Sequence, residues 1–186
     1  AGTEIRLDPG ISLVFRRKLT AIGTTEAPIT ILRTSDNASS NEPWGTIALQ
    51  GAGTRGSHLR HVKISGGSGD NIEAIPYTGM LSIHETSDIL LEGLHLGPNQ
   101  IEDDTLHLVY VDNAVIRNLV VESAFGDGVD IDISQAIFDG GRVLRSRNDG
   151  IDLMSSDAII TGMEISGSGD KGVSVGERSR AVVHNS

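Results

Sequence analysis

One phrase of this sequence returns every 22 residues. Gly128, Gly150 and Gly172 keep that step, and they open Val129-Asp130-Ile131, Ile151-Asp152-Leu153 and Val173-Ser174-Val175 in turn. Three further columns run in the same register: Ala114, Ala136 and Ala158; Ile116, Phe138, Ile160 and Val182; Val121, Val143 and Ile165. The step extends backwards with insertions. Leu106-His107-Leu108 lies 23 residues before Val129-Asp130-Ile131, Leu81-Ser82-Ile83 a further 25, and Ile47-Ala48-Leu49 a further 34. Such a repeat restricts the fold severely. Within it, short apolar runs alternate with Gly, Asp, Asn and Ser, which is strand punctuation and not helical periodicity. A unit this short cannot bury its own apolar face, whereas stacked units build a continuous core. Successive rungs then pair as parallel strands about 4.8 Å apart.

The expected architecture is therefore all-β: a parallel β-helix of about seven rungs, forming one domain over residues 1–186. Segments 34–43 and 65–78 are rich in Gly, Ser, Asn and Pro and read as inserted loops. The first carries an accidental-looking glycosylation sequon at Asn37. Glycine supplies 23 residues and aromatic residues only 3%. Glycine fits the tight turns, where it accepts positive φ, and a narrow solenoid interior favours stacked aliphatics over rings. Leucine-rich repeats have a similar length but need Leu and Asn at fixed offsets, and that frame is missing. Both ends look uncapped or truncated, so end-to-end or homo-oligomeric association is an expectation.

The register also assigns neighbours on the surface. In an alternating strand the residue between two inward aliphatics points out. One outward column is then Ala48, Ser82, His107, Asp130, Asp152 and Ser174, and a second is Gln50, His84, Val109, Asp132, Met154 and Gly176. The turn before the strand stacks Gly79, Asp104, Asp127, Asp149 and Lys171. The same alternation places Tyr110 inward with Leu106 and Leu108. Stacked carboxylates about 5 Å apart repel by roughly 1 kcal/mol per pair in water. Their retention points to a cation or to chemistry.

For a cation, Asp104, Asp127 and Asp149 are the candidate ligands and Ca²⁺ the candidate ion, since it takes hard oxygen ligands in irregular geometry. For chemistry, His107, Asp130 and Asp152 are the candidate catalytic groups. An Asp–His contact across one rung would raise the imidazole pKa and make it a proton carrier. Paired carboxyls about 5–5.5 Å apart suit a retaining glycosidase and about 6.5–9.5 Å an inverting one. By rung count Asp130 and Asp152 fall near the first spacing, and Asp104 and Asp149 near the second. His84, Asp132, Trp44 and Lys171 are candidate substrate contacts. Plainer roles stand beside these. Asp before Gly forms turns, histidines on a sheet face are often only solvated, Trp44 can staple a loop, and Lys171 can relieve the acidic ladder. For Asp130, Asp132 and Asp152, mid-strand, the turn explanation fails, because Asp is depleted in strands.

On these columns and phrases the chain resembles the right-handed parallel β-helix of the pectate-lyase-like superfamily, over nearly its whole length. The phrases Asp149-Gly150-Ile151-Asp152-Leu153 and Gly169-Asp170-Lys171-Gly172 are similar to those of uncharacterised bacterial surface β-helix proteins. The resemblance implies the right-handed coil, a secreted or cell-surface bacterial location, and action on an extended polysaccharide as a glycoside hydrolase or lyase. The alternative is a non-catalytic structural or glycan-binding module of a larger surface protein. The motif sets of polygalacturonases, mannuronan epimerases and pectate lyases are missing; Asp103-Asp104 is an Asp pair without its companions.

Charge narrows the partners. The formal net charge is −10, which disfavours nucleic acid and anionic lipid and fits a neutral glycan better than a uronate. No apolar run is long enough to span a membrane. The chain has no Cys, so it has neither disulfides nor thiolate metal sites.

Overall fold

The computed structural model describes residues 1–34, 42–99 and 101–186. The sequon at Asn37 and most of the first insertion lie outside them. The chain forms a parallel β-solenoid of about seven turns, with bridged residues about 25 positions apart. Strands Gly79–Glu92, Asp104–Val121, Val129–Asp132, Ile151–Met154 and Val173–Val175 stack turn upon turn. Their register is the one the 22-residue step predicts: Ala48, Ser82, His107, Asp130, Asp152 and Ser174 pair in sequence.

Inside, equivalent aliphatics form continuous stacks. Leu81, Leu106, Val129 and Ile151 make one, and Ile83, Leu108, Ile131 and Leu153 another, all with no measurable exposure. Each rung meets its neighbours through a ladder of identical chemistry, so the core is as long as the stack and no residue needs a distant partner.

Two corners repeat along the rod, each marked by a residue with positive φ. The first is Glu85, Tyr110, Ile133 and Ser155, at φ 55, 53, 47 and 52°. The second includes Gly93, Asn118, Gly140 and Gly162, at φ 60, 51, 70 and 64°. A left-handed residue interrupts the two-residue alternation, so parity does not carry across it. This corrects the placement of Tyr110. It occupies a corner and is 55% exposed, not part of the core.

Two more expectations change. Ile160 pairs with Val183, not Val182. Asp152 and Ser174 are 22 positions apart, but Asp157 and Arg180 are 23, so one extra residue enters at the corner between Gly176 and Ser179. Segment 65–78, expected as a loop, contains an antiparallel hairpin of Asp70–Ile72 and Ile75–Tyr77. That hairpin leads into the first long strand and sets Tyr77 and Thr78 beside the acidic face.

Candidate functional site

The middle turns bring His84, His107, Asp104, Asp130 and Asp132 together. Their columns are those read from the spacing. Alternation turns these side chains away from the aliphatic stacks, yet several are buried: Asp104 is 1%, His84 4% and His107 6% exposed. The cover comes from the hairpin. Tyr77 stacks on His84 with ring centroids 4.8 Å apart, and His84 meets His107 edge-on at 5.2 Å. The Tyr77 hydroxyl donates to Gln50 Oε1 at 3.0 Å, which fixes the ring.

Thr78 links the two buried titratable groups. Its Oγ1 lies 2.6 Å from Asp104 Oδ2 and 2.7 Å from His107 Nδ1. On the other side of the ring, His107 Nε2 faces Asp132 Oδ2 at 3.5 Å and Asp130 Oδ2 at 3.6 Å. Those separations are too long for good hydrogen bonds. Among the described residues, His84 Nε2, His107 Nε2, Asp104 Oδ1 and Asp132 Oδ1 are buried without a partner. Buried polar atoms are normally paired, and leaving one unpaired costs about 1–3 kcal/mol.

Burial and mutual charge dominate the ionisation of the group. Burial pushes the Asp104 carboxyl up to about 7, against the opposing pull of the Thr78 hydrogen bond and the His107 charge. Burial and the nearby Asp104 push Asp130 up to about 8. His84 falls to about 4, through burial and then repulsion by His107. For His107, burial favours the neutral ring, but Asp132, Asp104 and Asp130 outweigh it and the net shift is upward. The cluster thus shares few charges among several groups, a pattern frequent at functional sites.

The remaining candidates occupy different settings. Asp127 and Asp149 are mostly buried in the turn ladder. Asp127 Oδ1 accepts from the Asp149 N–H at 2.6 Å and from Asn148 Nδ2 at 2.9 Å, and Asp149 Oδ1 accepts from the Lys171 N–H at 2.7 Å. Each carboxylate therefore caps the turn stacked on it. Asp103, Asp104 and Asp127 offer ligand atoms within 4.8 Å of one another, and so do Asp104, His107 and Asp130. Asp149 belongs to neither group. Asp152 is partly exposed, and its Oδ1 accepts from the Leu153 N–H at 3.0 Å. Lys171 Nζ contacts Asp170 and lies 3.8 Å from Asp149 Oδ1. It is a counter-charge at the end of the acidic ladder.

Trp44 is corrected as a substrate contact. It has no exposed surface, and its indole N–H donates to the Ser65 carbonyl at 3.0 Å. A ring in that position presents no face to a ligand. Thr78 and Tyr77 went unrecognised in the sequence because they precede the repeating strand and have no counterparts in later turns. A groove of about 430 Å³ lies elsewhere, along Ala136, Ile137, Ala158, Ile159 and Val182, and it lacks the acidic cluster.

No protein-family model, curated protein or solved structure matches this chain. Fold and site define a parallel β-solenoid with a buried histidine–carboxylate cluster on one strand face. No helix among the described residues is long and apolar enough to cross a membrane.

Proposed function

We propose that this chain acts on an extended polysaccharide laid across successive turns of the acidic face, in the manner of the pectate-lyase-like superfamily, outside the cell or at its surface. The reaction centre is the His107, Asp130 and Asp152 column. One observation carries the reading: buried polar atoms converge around His107 and lack partners within the described protein. A folded chain tolerates that cost where a ligand or a reaction uses the unmet bonds. Sugar hydroxyls both donate and accept, so they complement carboxylate oxygens and imidazole nitrogens alike. The parallel turns set outward side chains at a regular step along the rod, which suits a repeating polymer. The net charge of −10 favours a neutral glycan.

The test is a panel of neutral and acidic polysaccharides with product analysis, run beside the Asp130→Asn protein. Turnover of a neutral glycan that disappears in the variant is expected. Glycan binding without turnover by the unmodified protein assigns the face to a recognition module instead. No binding to any polysaccharide overturns the proposal.

A further inference from the structure

The arrangement around His107 is that of a metal ligand with its outer support in place. Thr78 has one hydroxyl hydrogen and two close partners. When Asp104 is ionised, that hydrogen goes to Asp104 Oδ2, and Thr78 Oγ1 must accept from His107 Nδ1–H. The neutral ring then carries its lone pair on Nε2. Nε2 is the atom aimed at Asp130 Oδ2 and Asp132 Oδ2, 3.6 and 3.5 Å away. An imidazole lone pair and two carboxylate oxygens around one point repel unless a proton or a metal cation sits between them. Histidines that bind metals characteristically donate their other ring N–H to a fixed acceptor, and Thr78 Oγ1 stands at 2.7 Å to accept it in this tautomer.

The donor set, more than the spacing, selects the kind of ion. Asp104, His107 and Asp130 each offer a ligand atom, and the three atoms lie within 4.8 Å of one another. Two ligands about 2.0–2.1 Å from a tetrahedral ion stand about 3.4 Å apart, close to the 3.6 Å between His107 Nε2 and Asp130 Oδ2. Ca²⁺ takes six to eight oxygen ligands at longer range, and an imidazole nitrogen suits zinc-like ions better. The unpartnered Asp104 Oδ1 supplies the second observation: a carboxylate oxygen in a side chain 1% exposed, with no donor among the described residues.

We propose that Asp104, His107 and Asp130, flanked by Asp132, bind one divalent transition ion of the Zn²⁺ class. This names a cofactor for the face assigned above to polysaccharide, and it rests on that face being a functional site. The Asp130 and Asp132 side chains are about one-fifth exposed, so the outer side of the ion is open to a substrate oxygen or a water. An ion held by three protein ligands with one open position polarises such an oxygen.

The experiment is calorimetric titration of the chelator-treated protein with Zn²⁺ and, separately, Ca²⁺, with no glycan present. One Zn²⁺ per chain and weaker Ca²⁺ binding are expected. Thr78→Val, which removes the hydroxyl that supports both the His107 ring and Asp104, should weaken Zn²⁺ binding about 10–100-fold, and His107→Asn at least as much. Co²⁺ loaded into the unmodified protein should show visible bands of a low-coordinate site, a readout that needs no variant to fold. Preference for Ca²⁺, unchanged Zn²⁺ affinity in folded His107→Asn, or a Co²⁺ spectrum like that of the aqueous ion overturns the inference. The two proposals separate cleanly. Zn²⁺ binding without action on any glycan removes the polysaccharide reading alone, and glycan turnover unchanged by chelation removes the metal alone.

Discussion

Thr78 Oγ1 lies 2.7 Å from His107 Nδ1, although 29 residues separate the two in the chain. The contact exists because the hairpin before the first long strand ends just above the rung that carries His107. Its loss leaves two buried groups, His107 Nδ1 and Asp104 Oδ2, without the partner they share. Thr78→Val should therefore destabilise the metal-free protein by about 1–3 kcal/mol. Thr78→Ser keeps the hydroxyl and should recover most of it. Denaturant unfolding of the three proteins checks this; equal midpoints would show that the bridge contributes nothing.

Ionisation of the same cluster gives the metal-free fold a specific pH response. Asp104 and Asp130 are raised from 3.8 to about 7 and about 8. The folded protein therefore binds protons that the unfolded chain has released, and this stability declines as pH rises from about 4 to about 8. His107, also raised, adds stability that is complete below its unfolded value and fades as pH climbs through the folded one. His84 works in the other direction. Lowered from 6.5 to about 4, it withdraws stability as pH falls across that interval. The melting temperature of chelator-treated protein should decline between about pH 6 and about pH 8, and Asp130→Asn should flatten the upper part of the decline. A melting temperature that rises over this range would contradict the assignment.

Trp44 offers an optical probe of packing, because the chain has a single Trp and it is fully buried. A Cβ on Gly67 would come within 2.3 Å of two carbons of the indole ring. Neither the rigid ring nor the backbone that carries it can absorb that overlap. Gly67→Ala should cost about 1–3 kcal/mol and shift Trp44 emission to the red, read by thermal unfolding and fluorescence. Trp44→Phe should leave affinity for any glycan that binds the acidic face unchanged, since the ring is sealed from it.

The solenoid and its outward columns were legible because identical neighbours in a stack need identical spacing. His107, Asp130 and Asp152 could be aligned by counting alone. Counting fails where the backbone leaves the regular pattern. Tyr110 has inward parity by its strand, but its left-handed φ of 53° swings it to the surface. Val182 misses Ile160 because one residue is added at a corner. The site itself was half visible. Its charged groups belong to the repeat, whereas Thr78 and Tyr77, which bury and orient them, come from an insertion that occurs once. Burial of Asp104 could not be inferred either, since a turn aspartate is ordinarily solvated.

The glycine column that first marks the repeat gives the sharpest test of how the turns fit together. None of Gly128, Gly150 and Gly172 adopts the positive φ for which glycine is generally suited. Close approach is what demands glycine. A Cβ on Gly150 would meet Ile165 Cγ2 at 2.4 Å and the Gly172 carbonyl oxygen at 2.5 Å, the oxygen that accepts from the Ile151 N–H. A Cβ on Gly172 has only Ile165 Cγ2 nearby, at an unstrained 3.7 Å. Gly150→Ala should therefore separate adjacent turns and destabilise by about 1–3 kcal/mol. Gly172→Ala, at the equivalent place in the repeat, should be neutral or slightly stabilising, because alanine restricts the unfolded chain by about 0.4–1 kcal/mol. Side-by-side thermal unfolding decides it. Equal losses in the two variants would mean that the column serves a backbone conformation after all and not the distance between one turn and the next.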